Sequence, residues 1–231
     1  RSRAGVWSGD FLLGAWQMLP LQLGAVPFGL IPGALAADKG LSPLETALMS
    51  AMVFAGGSQF VAIGLWAHPI PILVIVASTA LVNLRHLLMG AALAPALQRF
   101  GARGSYLALF FLADEIWAVA LRRAATEGLT PAFYAGQAVP FYLSWIFCTA
   151  LGNLAGSFVA DPRRYGFDFA FAAVFLVILF GLRRGRQSVL PVAASAAGAL
   201  LAWKLLPGVW YIFIGGLAGT AAAILTAKDE S

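Results

Sequence analysis

Residues 71–98 read PILVIVASTALVNLRHLLMGAALAPALQ, and Arg85 is the only Lys, Arg, Asp or Glu among them. Wound as an α-helix at about 1.5 Å per residue, this run is longer than the ~30 Å hydrocarbon core of a bilayer. The rest of the chain follows suit: residues 11–37, 46–84, 128–160, 169–182, 187–203 and 205–227 contain no Lys, Arg, Asp or Glu. Of the 231 residues 61% are hydrophobic and 11% charged, against roughly 25% charged in a soluble domain, and the mean hydropathy is +0.84. The solvent of this protein is lipid.

Apolar runs between Gly, Pro and charged punctuation fall near 11–37, 44–67, 71–98, 104–122, 136–160, 168–183, 187–205 and 207–227. The connections are short, so residues 1–231 form one polytopic all-α membrane domain of about seven to eight transmembrane helices. Ala34-Leu35-Ala36 has the small-x-small form of a cleavage site, but the preceding run is too long and too interrupted by proline for a signal peptide. Eight full crossings place eight Lys/Arg on the N-terminal side and six on the other, which favours a cytoplasmic N-terminus. A re-entrant segment around Gly56-Gly57 would make the count seven against seven, and eight full spans is the preferred reading.

The net charge of +5 and pI near 9.8 do not mark a nucleic-acid binder, because the basic residues sit in short clusters between apolar runs, as loop anchors do. A single cysteine, Cys148, excludes an intramolecular disulfide. No metal-ligand spacing, phosphate-binding loop or dinucleotide fingerprint is present, so no cofactor is expected.

An echo occurs 123 residues apart: Gly29-x3-Gly33-x3-Ala37-Asp38 recurs as Gly152-x3-Gly156-x3-Ala160-Asp161. It suggests an internal repeat with units of about 11–98 and 136–227, as transporter folds have. Small residues four apart also pack helices closely without any repeat.

Three polar features fall at mid-depth. Arg85 stands at the centre of its span, where an arginine costs about 2.5–3.5 kcal/mol on insertion scales and requires a partner or water. The next span offers Asp114 and Glu115 at similar depth; with two acids for one arginine, the surplus carboxylate must be protonated, wet or bound to a cation, which suits a site for a proton or a substrate amine. Asn83 and His86 share a helix face beside Arg85. Gly56, Gly57, Ser58 and Gln59 interrupt the second span, and unwinding there would free backbone N–H groups for a carboxylate. Helix breaks are expected at Pro20 and Pro27 in the first span and at Gly152 and Asn153 in the fifth. The leading reading is a transporter of a small polar solute. An intramembrane serine protease using Ser58 and His86, or a scaffold subunit that transports nothing, is the alternative.

On Val26-Pro27-Phe28-Gly29, Val53-Phe54-Ala55-Gly56-Gly57-Ser58-Gln59-Phe60 and Asn83-Leu84-Arg85-His86, the chain resembles the AzlC family, the large subunits of bacterial branched-chain amino acid exporters. The likeness extends over roughly residues 11–182, with Gly57 where that family often has another small residue. The resemblance implies export of valine, leucine, isoleucine or methionine across a bacterial cytoplasmic (inner) membrane, together with a small membrane subunit of the AzlD type. For an amino acid, the Gly56–Ser58 amides or Arg85 would meet the carboxylate and Asp114 or Glu115 the ammonium. Proton coupling would run through Asp114 or Glu115, with His86 in the same set.

Overall fold

A computed structural model describes residues 3–156, 176, 189–206 and 210–228. All regular structure among them is helical: α1 (Arg3–Asp38), α2 (Pro43–Met52), α3 (Gly56–Gly64), α4 (Ile72–Leu97), α5 (Gly101–Phe110), α6 (Asp114–Thr126), α7 (Pro131–Gly156), α8 (Val189–Leu205) and α9 (Trp210–Lys228), with a 3-10 turn at Gln98–Phe100. Large apolar side chains point outward, Leu73 at 85% and Leu88 at 76% exposure, as lipid-facing surfaces require. The expected span 168–183 lies outside the described residues apart from Leu176, and those near 187–205 and 207–227 correspond to α8 and α9, which pack together through Ser195, Gly198, Gly215 and Gly219.

Two of the expected spans do not cross. In the region 44–67, α2 is only 10 residues long, about 15 Å or half a bilayer. Its start is fixed by Pro43 and by a reciprocal cap in which Glu45 N–H donates to Ser42 Oγ (3.2 Å) and Ser42 N–H donates to Glu45 Oε2 (2.7 Å). The chain then extends through Val53 to Ala55 and returns as α3. The return is documented by contacts: Gln59 Nε2 donates to Ser50 Oγ (2.7 Å), Ile63 packs with Ala36 and Leu41, and Lys39 Nζ donates to the Trp66 carbonyl (3.3 Å). Both ends of this hairpin therefore lie on one side of the protein.

The region 104–122 behaves in the same way. Gly101, at φ +69°, takes a left-handed conformation open chiefly to glycine and reverses the chain after α4. A straight helix would hold residues 90 and 109 about 28 Å apart, yet a Cβ on Gly90 would sit 3.2 Å from Leu109. After the break at Phe111 to Ala113, α6 comes back along α4, so that a Cβ on Gly128 would meet the Arg99 guanidinium at 3.5 Å. Apolar content could not separate these hairpins from straight spans, because two half-depth helices need the same number of apolar residues as one full crossing.

Helix α2, its extended break and the start of α3 thus recur 58 residues on, at α5, its break and α6 (43 to 101, 52 to 110, 56 to 114). The two hairpins follow α1 and α4, which cross in opposite directions, so the hairpins enter from opposite sides. Their tips meet at the middle of α7, where Phe54, Phe110 and Phe111 set their rings edge-on around Tyr142 at 5.2, 6.2 and 5.0 Å and Tyr142 Oη donates to the Ala51 carbonyl (2.8 Å).

The breaks expected at Pro20, Pro27, Gly152 and Asn153 do not occur. Helix α1 runs unbroken through Pro20, Pro27 and Pro32, and α7 through Pro140, Gly152 and Asn153. The reason is a parallel seam between these helices. Gly14 meets Phe133, Gly29 meets Cys148, Gly33 meets Thr149, Gly152 meets Leu30 and Gly156 meets Ala34. Backbones in such close contact hold a proline-containing helix in line. Asn153 serves hairpin one instead, its Nδ2 donating to the Leu41 carbonyl and Thr46 Oγ1, both at 2.9 Å. The echoed glycines 29, 33, 152 and 156 are all in this seam, whereas Ala160 and Asp161 lie outside the described residues.

With the hairpins returning to their own sides, Arg3, Arg99, Arg103, Arg122 and Arg123 share the N-terminal side of α1 through α7, against Lys39 on the other. Over α1 to α7 this asymmetry is the kind that the positive-inside rule associates with a cytoplasmic N-terminal side. On intact cells a membrane-impermeant maleimide is expected to label His68→Cys and to label Gln98→Cys only after permeabilisation. Eight straight spans with the same N-terminus would give the reverse pattern.

Candidate functional site

Arg85 lies 13 residues into α4, about 20 Å from its start, and the hairpin tips reach the same depth. Its Nη1 pairs with Asp114 Oδ2 at 2.7 Å. Asp114 and Glu115 open α6, whose N-cap Ala113 is extended and supplies no side-chain cap. Acidic residues suit this first turn, because its N–H groups lack intrahelical partners and carry the positive end of the helix dipole. Among the described residues no cation pairs with Glu115.

Hairpin one presents the complementary end. Ala55 is the extended N-cap of α3 and again supplies no side-chain cap, while Gln59 N–H makes the first intrahelical bond, to the Ala55 carbonyl (3.0 Å). The amides of Gly56, Gly57 and Ser58 belong to the uncapped first turn. Gly56 is required by Trp145, whose ring would lie 2.9 Å from any Cβ at that position.

Between the tips is a cavity of about 260 Å³, just below the common range of about 300–1,000 Å³ for drug-sized ligands. Gly56, Gly57, Arg85, His86, Asp114 and Glu115 line its polar part. Phe28, Phe54, Phe60, Phe141 and Trp145 wall the remainder, with Pro20, Leu21, Gly24 and Ala25 from α1. The structure thus brings together Arg85, both carboxylates, His86 and the glycine pair, drawn from α3, α4 and α6.

Three residues singled out with them are used for support. Ser58 Oγ donates to Asn83 Oδ1 (2.7 Å), tying α3 to α4, and Asn83 O meets His86 Nδ1 at 3.3 Å. The Ser58 hydroxyl is therefore bonded to Asn83, not to His86. Gln59, 2% exposed, accepts from Trp145 Nε1 (2.6 Å) and donates to Ser50 Oγ, which meets Thr149 Oγ1 at 2.7 Å. This buried chain fixes hairpin one and the Trp145 ring against α7. None of Ser58, Gln59 and Asn83 lines the cavity. The aromatic wall was not among the sequence candidates, because a phenylalanine lining a cavity and one facing lipid look alike in an apolar run; a tryptophan whose N–H must find a partner at depth was the available signal.

Opposed half-membrane hairpins that meet at a small, part-charged cavity inside a helical membrane domain are an architecture suited to a membrane transporter. The chain belongs to the AzlC family, whose model, described as AzlC protein, matches residues 20–159. It is 32% identical over 201 residues to an uncharacterised membrane protein of Archaeoglobus fulgidus, covering 86% of this chain and 87% of that one. It is 28% identical to the inner membrane protein YgaZ of Escherichia coli (97% and 92% covered) and 26% identical to the branched-chain amino acid transport protein AzlC of Bacillus subtilis (69% and 63% covered). No solved structure matches. The family match ends close to the end of α7, so it contains every residue of the cavity.

Proposed function

We propose that this protein is a secondary transporter that exports branched-chain and other hydrophobic amino acids, such as valine, leucine, isoleucine and methionine, from the bacterial cytoplasm. The observation that carries the reading is a cavity with an uncapped helix terminus and a carboxylate that no described cation pairs with at its polar end, and five aromatic rings around the rest. A hydrophobic amino acid is a zwitterion with an apolar side chain and needs all three surfaces. The likeness to the transport protein of Bacillus subtilis supports the substrate class. Its resemblance to the AzlC exporters supports outward transport and a small AzlD-like membrane subunit as partner. Proton coupling follows from the surplus carboxylate, which can exchange a proton for an ammonium.

The test is efflux of preloaded radiolabelled valine from cells producing this chain with and without the small subunit, with and without a collapsed proton gradient. Faster efflux that needs the subunit and the gradient is expected. Efflux equal to that of vector controls for all four amino acids, with the protein present in the membrane, would overturn the assignment.

A further inference from the structure

The geometry points to a single orientation for the bound solute: its ammonium on the Glu115 carboxylate and its carboxylate on the amides that open α3 at Gly56 and Gly57, with the Arg85–Asp114 pair left closed. This rests on the amino acid reading above and goes beyond it by assigning each end of the zwitterion.

Charge balance at the polar end of the cavity decides between the carboxylates. Asp114 is held by Arg85 at 2.7 Å, and drawing it away would leave a guanidinium uncompensated at mid-depth, which is strongly unfavourable. Glu115 lines the same cavity and no described cation pairs with it. An ammonium placed there pairs Glu115 as Arg85 pairs Asp114. The solute carboxylate is then the one charge left without a counter-ion, and the first-turn amides of α3, at the positive end of the helix dipole, are the donors that can hold it. Gly56 and Gly57 both line the cavity, so the start of α3 faces it directly. With both ends fixed, the side chain is directed toward Phe28, Phe54, Phe60, Phe141 and Trp145.

This orientation makes the α-ammonium and a proton rivals for Glu115. The charged or titratable groups that share the cavity with it are Arg85 and His86 of α4 and Asp114 of α6; the lining residues of α1, α3 and α7 carry none.

The test uses the purified full chain in lipid nanodiscs, with radiolabelled valine displaced by valine, by 3-methyl-2-oxobutanoate (the same skeleton without the ammonium) and by 2-methylpropylamine (without the carboxylate). Wild type is expected to prefer valine over either analogue by roughly 10- to 100-fold, the range for losing a hydrogen bond to a charged group. In Glu115→Gln the preference over the keto acid should shrink to within a few-fold while that over the amine persists. Valine stays zwitterionic between about pH 5 and pH 7, so wild-type affinity for valine should weaken as pH falls and protons compete for Glu115, whereas affinity for the keto acid should not. A Glu115→Gln variant that retains the full preference for valine over the keto acid would overturn the orientation and leave the transporter reading intact. If the variant does not fold, a valine-to-keto-acid affinity ratio in wild type that is flat with pH overturns it equally. Failure of wild type to bind any of the four amino acids would instead overturn the substrate assignment.

Discussion

Gly152→Leu is expected to abolish accumulation of the folded protein, and Gly152→Ala to destabilise it by about 3 kcal/mol or more, at or above the usual ceiling for overpacking. A Cβ at Gly152 would overlap the Leu30 carbonyl, as one at Gly136 would overlap that of Phe11 and one at Gly33 that of Thr149. These obstructions are backbone atoms, which cannot turn aside as a flexible side chain does. In lipid no hydrophobic driving force between helices compensates for separating them; association depends on van der Waals contact over the seam. Gly9 lies in the same helix as Gly14 and Gly33 with nothing within 4 Å of its Cβ position, so Gly9→Ala should leave stability within about 0.5 kcal/mol of wild type. Thermal unfolding in detergent, followed by size-exclusion chromatography, compares the two. Equal melting of Gly152→Ala and Gly9→Ala would show that the α1–α7 seam is not close-packed.

The membrane class of this chain was legible because it depends on composition along the sequence: a lone Arg85 in residues 71–98 already excludes an aqueous environment for that helix. The pairing of Arg85 with Asp114 was legible to within one residue, since a mid-depth arginine must find an anion and only one neighbouring stretch offered any. Depth was therefore readable and direction was not. Whether the chain at Ala55 or Ala113 continues forward or turns back is decided by contacts such as Gln59 with Ser50 and Gly128 with Arg99, which composition and spacing along the sequence do not pair. The same ambiguity hid the meaning of the 123-residue echo, whose glycines face each other across one interface, and of the 58-residue recurrence, which preserves backbone shape while its sequences at the tips differ, Gly56-Gly57 in one and Asp114-Glu115 in the other. Pro20 and Pro27 read as breaks because a helix considered alone loses a hydrogen bond at each; packed against α7, it does not need to open.

Arg85→Ala is expected to lower transport of valine by 100-fold or more and to destabilise the protein, whereas Asp114→Asn should be far milder. The asymmetry follows from what each change leaves behind. Removing the guanidinium leaves Asp114 and Glu115 adjacent at mid-depth with no cation, and breaking a buried pair in this way costs about 3–5 kcal/mol; because this pair is partly open to the cavity, with side-chain exposures of 29% and 39%, the lower end applies. Removing the Asp114 charge leaves Arg85 beside Glu115, the next residue on the same helix turn, which can accept the guanidinium. That rescue has a functional consequence: once Glu115 is drawn to Arg85 it no longer meets the solute ammonium, so Asp114→Asn should keep wild-type stability within about 1 kcal/mol yet bind valine about 10-fold more weakly. The double variant Arg85→Ala, Asp114→Asn removes both members of the pair and should regain most of the stability lost in Arg85→Ala. Melting temperature and valine binding measured on the three variants decide the matter: Arg85→Ala as stable as wild type, or a double variant no more stable than Arg85→Ala, would show that the Arg85–Asp114 pair does not hold hairpin two against α4.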